Sequence, residues 1–242
     1  LRVTVDREQA SGTPFAEQHR LKMVTTCNSR RDAHNWLLLE YGIYRAYNLI
    51  TDYSYRVRRL EITFHDTESE RRERKQTAFF IEPTEEAARR LQREEIRPPR
   101  VSPEQYSKIQ TAHNALFQFL IANTDYAVKR GPSGEGCCHN GRVVATPGSE
   151  EDWVVLPYDF DQAGLIMTDY ALPADELRLR SVSSRLYRGF CWHNEQLLES
   201  IELFNSRRDE IVAALLPDDL SKNKRRKAER FVDGFFNIIN DP

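Results

Sequence analysis

No stretch of this chain is long and apolar enough to cross a bilayer, and none has the make-up of a signal peptide. There is no internal repeat and no low-complexity tract. Cysteine is scarce: Cys27, Cys137, Cys138 and Cys191 are too few for a disulfide scaffold in 242 residues. Charge of one sign is also lacking. The net charge of −2 offers no electrostatic case for nucleic acid or membrane as partner. The one basic cluster, Lys222 to Lys227, reads as a solvated helix face. The chain opens at Leu1, directly in the strand-like Leu1-Arg2-Val3-Thr4-Val5. Such a start reads as trimmed, so the missing signal says little about compartment.

What is present is the composition of a globular protein, 40% hydrophobic and 30% charged, with ample material for a core. Residues 1–26 read as strand, turn and strand, the turn at Ala10 to Pro14 and the second strand at Arg20 to Thr26. Asn28 and Ser29 are good helix caps ahead of a periodic stretch, in which Trp36, Leu39, Ile43, Tyr44 and Tyr47 fall at helical spacing. Residues 53–64 and 77–82 read as two further strands, with a charged loop from Glu68 to Lys75 between them. A short helix follows Pro83, and Arg97-Pro98-Pro99-Arg100 interrupts the periodicity. The expected division is therefore a lobe over 1–100 and a second over 101–242.

In the second lobe Ser102-Pro103 reads as the cap of a helix with proline in its first turn. Tyr106, Ile109, His113, Leu116, Phe117, Leu120 and Ile121 form its buried stripe, with His113 as a packed core histidine. The helix ends at Asn123-Thr124-Asp125. Arg142 to Ala145 and Trp153 to Leu156 make a hairpin that runs into Tyr158-Asp159-Phe160-Asp161. From Ala174 a helical tail is expected, with one stripe at Leu197, Leu198, Ile201 and Phe204 and another at Phe231, Phe235, Phe236 and Ile239.

Three features bear on chemistry. Glu40 points from the apolar face of its own helix, where a carboxylate is costly unless paired. Lys22, on the strand before it, is the natural partner. A strand lysine paired to a helix glutamate holds nucleotide phosphates in kinases, but taken alone such a pair is more often a plain structural ion pair. Asp125 lies in a loop just past a buried helix, placed to accept a proton from a hydroxyl; Asn-Thr-Asp is also good turn chemistry. Asp159 and Asp161 put two acids on one side of a strand end with Phe160 turned inward. A divalent cation is the simplest compensation for them. Asn140 offers a neutral oxygen ligand. A zinc site from Cys137, Cys138, His139, Cys191 and His193 is a rival, although the spacing is not that of a finger or ribbon.

The order lysine, helix glutamate, loop aspartate, asparagine, hairpin, Asp-Phe-Asp is that of a protein kinase. The chain resembles the atypical kinase-like families that include the spore-coat protein H kinases and the HipA-type kinases, and most closely an uncharacterised bacterial group of that kind. The resemblance rests on Leu21 to Cys27, Glu40-Tyr41, Tyr55 to Arg58, Phe119 to Asp125, His139-Asn140, Pro157 to Asp161 with Gly164-Leu165, and Arg185 to Cys191. It implies an α+β, two-lobed protein-kinase-like fold: a small β-rich N-lobe with one long helix, incomplete here, and a mainly helical C-lobe. The function it implies is metal- and ATP-dependent phosphoryl transfer, with Mg2+ or Mn2+, to a hydroxyl of a protein or small molecule. Lys22 would contact nucleotide phosphates and Glu40 would position it. Asp125 would be the catalytic base, and Asn140 and Asp159 would bind metal, with Asp161 as a second acidic ligand. Arg56, Arg58, Arg185 and Arg188 would be ion-pair partners or phosphate contacts. The related group is secreted or periplasmic.

The chain departs from the pattern in lacking a Gly-rich phosphate loop, and in lacking the histidine that HipA-like motifs carry after the aspartate. Asn140 also comes late, fifteen positions after Asp125. A pseudokinase and a nucleotidyl (AMP) transferase are the alternatives on the same fold.

Overall fold

The structure is a computed structural model that describes residues 1–6, 8–13, 15–16, 20–26, 30, 32–66 and 73–241. Pro14 of the expected turn, Cys27, the expected caps Asn28 and Ser29, and residues 67–72 of the charged loop lie outside the described residues.

The chain is α+β. Strands β1 (Arg2–Thr4), β2 (Arg20–Thr25), β3 (Val57–Phe64) and β4 (Arg74–Ile81) form one antiparallel sheet in the order β1-β2-β4-β3. Helix α1 (Ala33–Ile50) connects β2 to β3. Its apolar positions at helical spacing bury Leu38, Leu39, Ile43, Tyr44 and Tyr47. Strand β3 starts later than the alternation suggests. Residues 53–56 form a turn instead, in which Asn48 Nδ2 donates to Ser54 Oγ (2.8 Å) and to the Tyr55 carbonyl (2.9 Å). The register sets Lys22 opposite Ile81 and Val57 opposite Ile81 on the other side.

After α2 (Thr84–Arg90), strand β5 (Glu94–Ile96) pairs with β6 (Gly141–Ala145), which pairs with β7 (Val154–Pro157). The expected hairpin forms, with Arg142 opposite Leu156 and Val144 opposite Val154. Strand β5 was not foreseen, and it joins a residue segment before position 100 to a sheet beyond it. Ser102 and Pro103 open a separate short turn with a reciprocal cap, Gln105 Oε1 accepting from Ser102 N at 2.9 Å. Helix α3 (Lys108–Ile121) begins only after Ser107.

Helices α4 (Asn194–Ser206), α5 (Arg208–Leu215) and α6 (Lys222–Ile239) close the fold. Leu198, expected in the α4 stripe, faces solvent at 66% exposure. Lys224, expected on a solvated face, is buried, with Nζ donating to the Ile166 carbonyl at 2.5 Å. His113 is buried against Ser200 Oγ at 2.8 Å, and burial holds its pKa down at about 4. The larger core runs from α1 through α3 and β7 to α5 and α6, with Phe79, Phe117, Phe160, Phe204 and Phe235 fully buried, and a smaller cluster gathers Val101, Tyr106, Val143 and Trp153.

Helix α1 lies unusually close to α5. A Cβ on Gly42 would sit 2.8 Å from the carbonyl oxygens of both Ala214 and Leu215. Those are backbone atoms, which cannot rotate aside. The G42A substitution gains helix propensity, about 1 kcal/mol, yet overpacking against backbone outweighs it. The expected net loss is about 1–3 kcal/mol, read as a lower denaturation midpoint; a raised midpoint would show that the two helices are not held together there.

Candidate functional site

The site is assembled at the C-terminal end of α3. Ala122 takes a left-handed conformation (φ 50°) and ends the helix. The last carbonyls of a helix need partners, and here the chain after Asp161 supplies them. Gly164 N donates to the Ala122 carbonyl (3.1 Å) and Leu165 N to that of Ile121 (3.0 Å). Gly164 is the residue that permits this approach, since a Cβ there would meet the Val182 carbonyl at 2.5 Å and Ala122 Cβ at 3.0 Å. The loop holding Asp125 and the turn holding Asp159 and Asp161 are thereby brought side by side.

Asp125 is closely held. Its N–H donates to Asn123 Oδ1 at 3.0 Å, an Asx turn. Asn140 Nδ2 donates to the Asp125 carbonyl (2.7 Å) and to Oδ2 (2.9 Å). Both partners are acceptors only, so the amide nitrogen must face them and the Asn140 carbonyl oxygen is turned elsewhere. His139 Nε2 lies 2.9 Å from Asp125 Oδ1. The histidine and asparagine arrive through an isolated antiparallel bridge between Ala127 and His139. His139 thus stands beside the aspartate although no histidine follows it in sequence. Spacing carries no signal for this contact; only the pairing of the two short segments creates it.

The Asp-Phe-Asp turn is anchored from α1. Tyr44 Oη accepts from Asp159 N at 3.0 Å, and the Tyr44 ring lies 4.9 Å from that of the buried Phe160. Asp159 has φ 63°, in the left-handed region that aspartate tolerates better than most residues. Tyr170 Oη donates to Asp161 Oδ2 at 3.1 Å, and its ring stands edge-on to Trp36 at 6.0 Å. Tyr170 was not singled out in the sequence, and Tyr44, one helical turn beyond Glu40, was read only as a member of the apolar stripe.

A cavity of about 320 Å3 is lined by Lys22, Glu40, Asp159, Asp161, Trp36 and Tyr170, among others. Four of the six sequence-derived site residues therefore share one space. Asp125 and Asn140 do not line it, but Asp125 is near enough to Asp161 to raise its pKa. Burial and Asp159 raise it more. Glu40 is pushed up to about 8, chiefly by burial, then by Asp159 and Asp161, with Lys22 opposing. The expected Lys22–Glu40 ion pair is not formed as a direct contact. The Lys22 ammonium instead lies 5.3 Å from the centre of the Tyr158 ring. Arg142 approaches the same ring at 5.3 Å. Lys22, Tyr158 and Arg142 also line an adjoining cavity of about 450 Å3, with Tyr55, Ile81 and Glu82.

Among the described residues, no three histidine, cysteine or acidic side chains converge as a metal site. Magnesium needs no such cage, since it is commonly held by one or two carboxylates together with substrate phosphates and water. Asp159 and Asp161, which share the cavity, fit that demand; Asn140 is engaged with Asp125 and does not line the cavity. The cysteines and histidines do not fit zinc. Cys137 and Cys138 are joined to each other in a disulfide, His139 is engaged with Asp125, and Cys191 is exposed and free.

Comparison with family models, with curated proteins and with solved structures gives no match to this chain. No helix among the described residues is long and apolar enough to cross a membrane.

The raised Glu40 pKa has a signed consequence. Below about pH 4.5 the acid is protonated folded or unfolded. From there to about 8 the unfolded chain releases a proton that the folded chain keeps, so stability falls as pH rises. The E40Q variant should match wild type near pH 4.5. At pH 8 in chelator it should be the more stable, by a margin that grows as pH rises through that window. Denaturant titrations at both pH values measure this, and magnesium should narrow the gap at pH 8. Equal stabilities at pH 8 in chelator would show that Glu40 is compensated within the protein.

Proposed function

We propose that this protein is a metal- and ATP-dependent phosphotransferase of kinase-like, two-lobed architecture, acting on a hydroxyl of a protein or small molecule. The observation that carries the reading is the placement of Asp125. Its carboxylate is oriented by His139 and Asn140 beside a cavity that gathers Lys22, Glu40, Asp159 and Asp161. An antiparallel sheet with one long helix, followed by a helix, an acidic loop and a hairpin ending in Asp-Phe-Asp, is the element order such an enzyme uses.

In this reading Asp125 accepts the proton of the attacking hydroxyl. Lys22 holds phosphate oxygens from the sheet side. Magnesium or manganese, bound by Asp159 and Asp161, would supply positive charge to the phosphates. The adjoining cavity past Lys22 leaves room for the nucleoside, against the faces of Tyr55 and Tyr158. Glu40, buried with no direct cationic contact among the described residues, adds its charge to the demand for a cation and positions Lys22 only at a distance. That missing contact favours one second reading, a nucleotide-binding module without turnover.

γ-Labelled ATP with magnesium tests the proposal. Wild type should transfer label, and D125A should lose about 100- to 10,000-fold in kcat while still gaining thermal stability from the nucleotide. D159A should lose the metal-dependent part of that gain. Nucleotide binding without transfer would establish the non-catalytic module. Transfer of label from the α position would establish AMP transfer instead. Failure of ATP to bind at all would overturn each of these.

A further inference from the structure

Arg188 has no carboxylate partner among the described residues, although the sequence marks it for an ion pair or a phosphate. Its guanidinium is half-buried over the ring of Tyr126, 4.7 Å from the centre. Nη1 carries two hydrogens, and they go to two backbone carbonyls: Thr124 O at 2.9 Å and Tyr126 O at 2.7 Å. These are the residues immediately before and after Asp125.

Four backbone groups around Asp125 are thereby paired. Its N–H goes to Asn123, its own carbonyl to Asn140, and the two flanking carbonyls to Arg188. Buried backbone polar groups need partners, and here one cation fixes the peptide plane before Asp125 and the one after Tyr126, while Asn140 holds the plane between them. The two carbonyls held by one nitrogen face the same way, and the Asp125 carboxylate is left to His139 and Asn140. A hydrogen bond from a charged donor is also stronger than a neutral one. The Tyr126 ring keeps the guanidinium in place from below, buried and with its own pKa pushed up to about 12 by burial.

We propose that Arg188 is a positioning residue for Asp125: it sets the conformation of residues 124–126 so that the carboxylate reaches the acceptor hydroxyl. The proposal rests on the phosphotransferase reading for its kinetic part, and on geometry alone for its structural part.

The R188M variant keeps the apolar stem over Tyr126 and removes both donors. Hydrogen exchange should quicken at least tenfold at the amides of Asp125 and Ala127, while those of α3 and α6 stay as in wild type. In γ-labelled ATP assays kcat should fall ten- to a hundredfold with KM for ATP unchanged, and R188K, whose ammonium can reach the same carbonyls, should recover part of the loss. Unchanged exchange at Asp125 and Ala127 in folded R188M overturns the proposal, as does a loss confined to KM. If R188M does not fold, R188K is measured in the same way. Failure of both to fold would assign Arg188 to stability and overturn a positioning role. Loosened amides in a protein whose wild type shows no turnover would uphold the positioning role and overturn the phosphotransferase reading.

Discussion

The last carbonyls of α3 are the point on which the site depends. A helix that ends in the core must find donors for them, and an alanine in the left-handed conformation at its end costs about 1 kcal/mol. Gly164 and Leu165 supply the donors. Because Leu165 and Phe160 are themselves fully buried, the segment between them is pinned at both ends by apolar burial and along its course by these hydrogen bonds. Asp159 and Asp161 therefore stand beside Asp125 as a result of core packing. No attraction between the acids is needed, and their mutual repulsion is overcome by the hydrophobic and backbone terms.

That repulsion remains visible. Glu40 is buried, faces two other acids and has only a distant lysine to offset them. A buried carboxylate without a contacting cation is costly, and Glu40 answers by holding its proton to a higher pH. Lys22 and Arg142 both approach the Tyr158 ring. The acids thus gather in one cavity, Lys22 lines both cavities, and Arg142 and Tyr158 line the adjoining one.

Much of this was legible in the chain. Glu40 announced itself by falling inside an apolar helical stripe, and Asp-Phe-Asp by following a buried strand with one inward ring. The hairpin was marked by Thr146-Pro147-Gly148-Ser149 between two apolar runs. What was not legible depends on long-range pairing. Glu94-Glu95-Ile96 is too short and too acidic to read as a strand, and becomes one only because β6 offers an edge. His139 meets Asp125 through a bridge that no local pattern encodes. Leu198 and Lys224 exchanged their expected environments because helical period fixes which residues share a face, not how wide the covered stripe is. The Lys22–Glu40 contact was inferred from chemistry, but the separation of the two side chains is set by the sheet's distance from α1.

The close passage of α1 over α5 carries a mechanical implication. Besides the Gly42 contact, Arg207 Nη1 donates to the Leu49 carbonyl at 2.7 Å, and Ser221 N to Asn35 Oδ1 at 3.0 Å. The helix that bears Glu40 and Tyr44 is thus riveted at its start, middle and end to the carboxy-terminal helices. It cannot swing as an independent lever. A change in the width of the cleft that keeps these contacts shifts Lys22 relative to Glu40, and it must also carry or break the Arg59–Asp219 pair that ties β3 to the same carboxy-terminal region.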